Sequence, residues 1–151
     1  MSREKEAWID PIYLDASALV KLFVEEEASD SLNEALVDAR GVILSDLALT
    51  EMASAVGRRT REGVLTPLQA RNLHREAMKL TAACRHVELT PPVHRRAEQL
   101  LLASRIPIRA LDALHVATAL EAGAATIVTF DHNLRDVASA QGLFIAPESA
   151  L

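Results

Sequence analysis

The chain alternates short, β-branched apolar runs with longer segments in which apolar residues recur every three or four positions. The short runs are typical of strands buried on both faces, and the longer segments are typical of amphipathic helices. Strands that are separated by helices pair in parallel through right-handed crossovers. The sequence therefore predicts an α/β fold around a parallel sheet of about five short strands, at 12–15, 42–44, 86–89, 126–130 and 143–145.

Helices are predicted between these strands, and several carry terminal signals. Thr66 is a suitable N-cap, because Pro67 then takes the first helical position. Glycines close other helices, as at Gly63 and Gly123. No repeat or linker interrupts the pattern, so we expect one domain over 1–151, with a short polar leader at 1–10. The predicted helices span about 17–27, 29–39, 46–61, 67–84, 91–104, 110–122 and 134–140.

Composition narrows the cellular setting. Half of the residues are hydrophobic but only 3% are aromatic, so the core must be aliphatic. The single cysteine, Cys84, excludes an internal disulfide and fits a reducing compartment. No apolar run reaches the ~18 residues that a membrane span needs, and the N-terminus lacks the apolar stretch of a secretory signal. We therefore expect a cytoplasmic protein with no membrane association.

The net charge of −5 disfavours a broadly basic surface that wraps nucleic acid. Any RNA contact would depend on local clusters, of which Arg58, Arg59 and Arg61 form the tightest. Arg58 and Arg59 follow Glu51 by about two helical turns, on nearly the same face. They are therefore candidates to contact RNA phosphates or a protein partner. The alternative is that they are ordinary cations near a helix C-terminus, where positive charge is favoured.

Four acidic residues carry the functional signal. Asp15 and Asp131 each follow a predicted strand, and the carboxyl ends of parallel strands meet at one edge where ligands bind. Glu51 and Asp112 lie on helices whose other residues are mostly apolar, where an unpaired carboxylate is costly. Four converging carboxylates would repel one another without a cation, and oxygen-only donors suit Mg²⁺ or Mn²⁺ rather than zinc. The pattern predicts hydrolysis of a phosphodiester by metal-activated water.

Capping is the alternative interpretation of three of these acids. Asp15 and Asp131 precede helices, and Asp is a favoured N-cap. Asp112 lies near a helix start, where the macrodipole favours negative charge. Glu51 lies deeper in its helix, so capping explains it less well. Aspartyl-phosphate chemistry at Asp15 is disfavoured, because it usually needs a second acid two residues later and a lysine near a late strand.

Two further polar residues have simpler interpretations. His115 lies three residues after Asp112, but Mg²⁺ does not favour imidazole, so we expect a packed helix residue. Asp46 precedes Glu51 by about one turn and could assist a second metal ion. Capping of the helix by Ser45 or Asp46 is the preferred role.

Four segments resemble the PIN-domain nucleases in residue type, order and spacing. The first contains Asp15, the second ends at Glu51, the third surrounds Asp112 and the fourth contains Asp131. The resemblance covers nearly the whole chain and is strongest to the free-standing toxins of VapBC-type toxin–antitoxin systems. The four segments are 13–21, 45–51, 111–119 and 129–134.

The resemblance implies a three-layer α/β/α fold and a Mg²⁺- or Mn²⁺-dependent endoribonuclease. It places Asp15, Glu51, Asp112 and Asp131 among the metal-binding acids. The family tolerates more variation in residue type at the fourth position, which is Asp131 here. It identifies Ser17 as the small polar residue that orients a metal-bound water or the Asp15 carboxylate; a helix-start hydroxyl without a catalytic task is the alternative. It further implies a homodimer inhibited by a cognate VapB-type antitoxin. A housekeeping PIN nuclease of RNA processing and a non-catalytic PIN-like binding module are the alternatives.

Overall fold

The computed structural model describes residues 8–24, 32–34, 36–37 and 40–148. In that part of the chain, five strands form one sheet in the order β3-β2-β1-β4-β5, and every pair is parallel. The α/β prediction with about five parallel strands is confirmed. The strands are β1 (Ile12–Leu14), β2 (Val42–Ser45), β3 (Arg85–Val87), β4 (Thr126–Val128) and β5 (Phe144–Ala146).

Helices connect these strands close to the predicted positions. The predicted helix at 29–39 is described only at 32–34 and 36–37, which are helical, and 25–27 of the first predicted helix lie outside the described residues. So do residues 1–7 of the predicted leader. None of the described helices is long and apolar enough to cross a membrane. The helices are α1 (Ala16–Phe23), α2 (Asp46–Arg61), α3 (Pro67–Ala83), α4 (Pro91–Ala103), α5 (Ala110–Glu121) and α6 (His132–Ala140).

Local signals set the ends of several helices. Thr66 caps α3 through a capping box with Gln69, as its sequence predicts. Ser45, rather than Asp46, caps α2 by accepting a hydrogen bond from the Ala48 N–H. Gly142 follows α6 with a φ of +86°, a left-handed conformation that costs other residues more than glycine.

The sheet is covered by helices on both faces, which confirms the three-layer architecture. Ile12 and Leu14 of β1 pack on one side, in an apolar cluster that includes Met52 of α2. Tyr13 points to the opposite side, in a cluster with Val116 of α5. This alternation follows from the two-residue period of a strand.

The sheet edge formed by β3 differs from its predicted extent. The strand covers Arg85–Val87, and Arg85 and His86 are exposed. Glu88 and Leu89, which the sequence also placed in it, follow the strand. An edge strand has a partner on one side only, so its apolar pattern is weaker.

The strand β4 ends earlier than predicted, and the reason concerns the site. The Thr129 N–H still donates to the Ala146 carbonyl at 3.0 Å, but the Phe130 N–H donates to Ser17 Oγ at 2.9 Å. The backbone after Thr129 therefore leaves the sheet and turns toward α1. The strand order reverses between β1 and β4, where ligands of parallel α/β sheets bind.

Candidate active site

Asp15 follows β1 and is almost completely buried, with 3% of its surface exposed. Its Oδ1 accepts hydrogen bonds from the Ser17 hydroxyl at 2.7 Å and from the Ala18 N–H at 2.9 Å. Its Oδ2 accepts one from the Thr129 hydroxyl at 2.5 Å. Burial raises the pKa of Asp15, while these hydrogen bonds oppose the rise. Asp15 caps α1 as predicted, but it is held by more than a cap.

Two hydroxyl groups connect Asp15 to the chain that follows β4. Ser17 Oγ accepts from the Phe130 N–H, and Thr129 Oγ1 accepts from the Asp131 N–H at 3.1 Å. Each hydroxyl therefore donates to the carboxylate and accepts from the loop. Ser17 was predicted as a site residue, whereas Thr129 was not distinguished from other strand residues.

Asp112 and Asp131 share one cationic partner. Arg109 donates to both oxygens of Asp112, from Nε at 3.2 Å and from Nη2 at 3.3 Å. The same Nη2 lies 3.4 Å from Asp131 Oδ2, while Asp131 Oδ1 caps α6 by accepting from the Leu134 N–H at 3.0 Å. Bonding to Asp112, and then its charge, raise the pKa of Arg109. Sequence reasoning missed Arg109, although its position three residues before Asp112 permits a contact at the helix start.

Glu51 is held by a buried histidine. Its Oε1 forms a short hydrogen bond with Nε2 of His115, whose Nδ1 lies 2.7 Å from the Tyr13 hydroxyl. The Tyr13 hydroxyl also lies 2.9 Å from Ser45 Oγ, which accepts from the Ala48 N–H at 3.1 Å. The prediction that His115 is a packed helix residue is confirmed, since it is 2% exposed. Its contact with Glu51 had no counterpart in the sequence pattern, because 64 residues separate them.

Hydrogen bonds connect three of the four predicted acids, namely Asp15, Asp131 and Asp112. Thr129 joins Asp15 to Asp131, and Arg109 joins Asp131 to Asp112. Glu51 is held separately by His115, and it lines the same cleft as Ser17 and Arg109. Within the described ranges, however, no three acidic, histidine or cysteine side chains form a metal-binding group. The structure therefore brings the acids to one edge, with Asp112 and Asp131 as the pair that shares a cation.

An open cleft of about 460 Å³ lies beside this network. Glu51 and Ser17 contribute to its lining, and both predicted contact residues, Arg58 and Arg59, lie on the same wall. Positive charge is concentrated here on a protein whose net charge is −5. The other basic residues of the lining are Lys21 and Arg109.

Asp46 contacts the chain that follows β3 and does not cap α2. Its Oδ1 accepts a hydrogen bond from the Leu89 N–H at 3.3 Å, while Ser45 caps the helix. The capping role considered for Asp46 is therefore wrong. Asp46 stabilises the chain that follows β3.

Comparison with known proteins identifies consistent relatives. A family model described as "PIN domain" matches residues 12–140. Ribonuclease VapC49 of Mycobacterium tuberculosis strain H37Rv is 37% identical over 139 residues, covering 90% of this chain and 94% of the relative. Ribonuclease VapC46 of the same strain is 33% identical over 145 residues, covering 90% and 97%.

Solved structures agree on the fold. VapC20 of Mycobacterium tuberculosis, described as a sarcin-ricin-loop-cleaving toxin, superimposes with a TM-score of 0.68 at 19% identity, covering 87% of this chain and 95% of its own. VapBC2 from Rickettsia felis, solved with a DNA fragment from its promoter, gives a TM-score of 0.63 at 14% identity, covering 89% and 96%. At these identities the structural likeness concerns the fold alone.

Proposed function

The chain belongs to the PIN-domain family, and on this premise we propose that it is a divalent-metal-dependent endoribonuclease, the toxin of a VapBC-type toxin–antitoxin system. Curated relatives that match most of the chain carry the name ribonuclease VapC. The observation that carries the proposal is the acid network beside a basic cleft, at the point where the strand order reverses. This combination suits a substrate that is a polyanion and a reaction that needs a cation.

The donors at this edge fit Mg²⁺ or Mn²⁺. Asp112 and Asp131 already share a cation, the Arg109 guanidinium, so their carboxylates are arranged for a positive partner. Mg²⁺ is commonly bound by one or two carboxylates and takes water and substrate phosphate for the rest. We propose Asp15, Glu51, Asp112 and Asp131 as the carboxylates that would hold the ion. When bound, the ion would lower the pKa of a coordinated water and stabilise negative charge on the phosphate.

The other residues of the site have tasks that follow from their contacts. The Ser17 and Thr129 hydroxyls orient the Asp15 carboxylate and stabilise its charged form by hydrogen bonds. Arg58 and Arg59 line the cleft with Glu51, so they would bind backbone phosphates on either side of the cleaved bond. Phosphate contacts fix the register of the RNA without reading its bases.

A cleavage assay tests the proposal. Purified protein is incubated with single-stranded RNA in Mg²⁺, in Mn²⁺ and in a chelator, and Asp112→Asn is measured beside the natural sequence. We expect cleavage with either metal, none with the chelator, and a loss of about 100- to 1000-fold in the variant, the usual scale when one electrostatic group of a site is removed. Asp136→Asn is a matched control, because this exposed aspartate on α6 lies outside the network. Metal-dependent cleavage that survives unchanged in Asp112→Asn would refute the assignment.

The biological setting is a second part of the proposal. The Rickettsia felis neighbour is a VapBC protein solved with promoter DNA, which supports a VapB-type antitoxin as the partner of this chain. We propose that the chain forms a homodimer in the cytoplasm. Light scattering of the chain alone measures whether it is a dimer. Light scattering of the chain co-expressed with a short adjacent reading frame measures whether it binds a partner. A monomer would refute the homodimer, and the absence of a partner frame would favour a housekeeping nuclease.

One observation favours a non-catalytic binding module as the second candidate. Arg109 pairs with both Asp112 and Asp131, so these acids have a positive partner within the chain, as in a purely structural ion pair. A module of this kind predicts RNA binding without turnover at any metal concentration. The chelator and metal arms of the cleavage assay therefore separate the two functions.

A further inference from the structure

We propose that Ser45, Tyr13 and His115 form a buried, one-directional chain of hydrogen bonds that fixes the Glu51 carboxylate at the cleft. Tyr13 and His115 would then be positioning residues of the nuclease site. The inference rests on the proposed function for its consequence, but the hydrogen-bond chain itself stands on geometry. Its members come from β1, β2, α2 and α5, so it crosses the sheet edge rather than following one helix.

In the proposed chain His115 is the neutral Nε2–H tautomer, and this choice sets the direction of every bond. A charged carboxylate only accepts, so Nε2 of His115 must carry the proton that it donates to Glu51. In a neutral imidazole Nδ1 is then the acceptor, and the Tyr13 hydroxyl must donate to it. The oxygen of Tyr13 is thereby left to accept from the Ser45 hydroxyl. Ser45 Oγ accepts in turn from the Ala48 N–H at the start of α2.

Burial limits the hydrogen-bond partners that Tyr13 and His115 can have. Tyr13 is fully buried and His115 is 2% exposed, so water does not compete for their polar atoms. Burial also raises the pKa of Tyr13, which keeps its hydroxyl protonated as a donor. Each ring nitrogen of His115 therefore has one partner within the chain, and Nε2 faces one oxygen of Glu51.

A purely structural interpretation accounts for less of this geometry. A phenylalanine at position 13 with a leucine at position 115 would fill similar space without buried polar atoms. The ring contact between Tyr13 and His115, with centroids 5.8 Å apart, would survive in a phenylalanine. The hydroxyl and the imidazole are instead aligned toward the one acid of α2 that lines the cleft. Outer groups that orient a ligand typically change metal affinity or activity by about 10- to 100-fold.

Two measurements on Tyr13→Phe test the proposal. In the metal-free protein with ¹⁵N-labelled histidine, the His115 spectrum of the natural sequence should show the Nε2–H tautomer, and Nδ1 should shift when the Tyr13 hydroxyl is removed. Calorimetric titration with Mn²⁺ should show about tenfold weaker binding in Tyr13→Phe. The control is Thr81→Val, which removes a buried hydroxyl that donates to Ala77 within α3. Its Mn²⁺ affinity should stay unchanged.

A pair of variants at His115 separates positioning from folding. His115→Gln keeps an N–H donor for Glu51 and should retain more Mn²⁺ affinity than His115→Leu, with both folds checked by circular dichroism. An unchanged Nδ1 signal and Mn²⁺ affinity in Tyr13→Phe would overturn the proposal, as would equal affinity in the two His115 variants. If the natural sequence neither binds Mn²⁺ nor cuts RNA, the proposed function fails, while the imidazole spectra still decide whether the hydrogen-bond chain exists.

Discussion

The two ends of the acid network hold their carboxylates by different means. Asp15 is buried and receives hydrogen bonds from neutral groups, namely two hydroxyls and one backbone N–H. Asp112, which is also buried, and Asp131 are instead held by Arg109, whose side chain is 70% exposed. The first arrangement is embedded in the fold, and the second depends on a side chain at the surface.

The difference teaches which part of the site can respond to a ligand. The hydroxyls of Ser17 and Thr129 also accept hydrogen bonds from the backbone after β4. They cannot move away from Asp15 without breaking these bonds. Arg109 itself is exposed, so solvent screens its attraction to both acids and a second cation can compete for them at little cost. We interpret the Asp15 end as preorganised and the Arg109 end as exchangeable.

The largest effect is expected from a substitution at the preorganised end, where neutral donors hold Asp15. Thr129→Val removes the donor to Asp15 and the acceptor of the Asp131 N–H. We expect the free energy of unfolding to fall by about 1–3 kcal/mol, because a buried acceptor loses its partner. Urea denaturation measures the change. Thr60→Val is the control, since its hydroxyl bonds back to Val56 within α2 and should matter less.

A smaller effect concerns pH at the same end. Burial raises the folded-state pKa of Asp15 above the value near 3.9 of an unfolded chain. The folded state therefore binds the Asp15 proton more tightly, and stability contributed by this group is lost as pH rises through its folded pKa. In metal-free buffer, the stability of the natural sequence relative to Asp15→Asn should decline from pH 4 upward. A difference that grows with pH would show that the hydrogen bonds outweigh burial.

The smallest effect is expected at the exchangeable end, where Arg109 pairs with Asp112 and Asp131. Arg109→Gln removes the internal cation that competes for Asp112 and Asp131, so Mn²⁺ affinity should rise about two- to fivefold, the scale of an ion pair screened by solvent. Calorimetric titration measures it. Arg58→Gln is a matched control, because it removes the same charge from the cleft lining without an observed contact to either acid. Weaker Mn²⁺ binding in Arg109→Gln would make Arg109 a supporting residue of the metal site rather than a competitor.

Much of the fold was predictable because its signals are local. Helix starts at Thr66 and ends such as Gly142 depend on residues within one turn, and the alternation of strand and helix gave the parallel sheet. Errors arose at β3 and after Thr129, where pairing and distant side chains decide where a strand stops. The position of Asp15 and Asp131 at one edge followed from the general geometry of parallel sheets.

The sequence by itself determined the architecture, the acids at the strand ends and the resemblance to a nuclease family, since these depend on periodicity and on residue type at short spacing. Tertiary structure alone decided how each acid is held. Arg109 reaches Asp131 across 22 residues, and His115 reaches Glu51 across 64. No local pattern encodes such contacts, because they depend on which helices the sheet brings together. The physical difference between the neutral and the cationic end of the site is therefore a property of the folded chain.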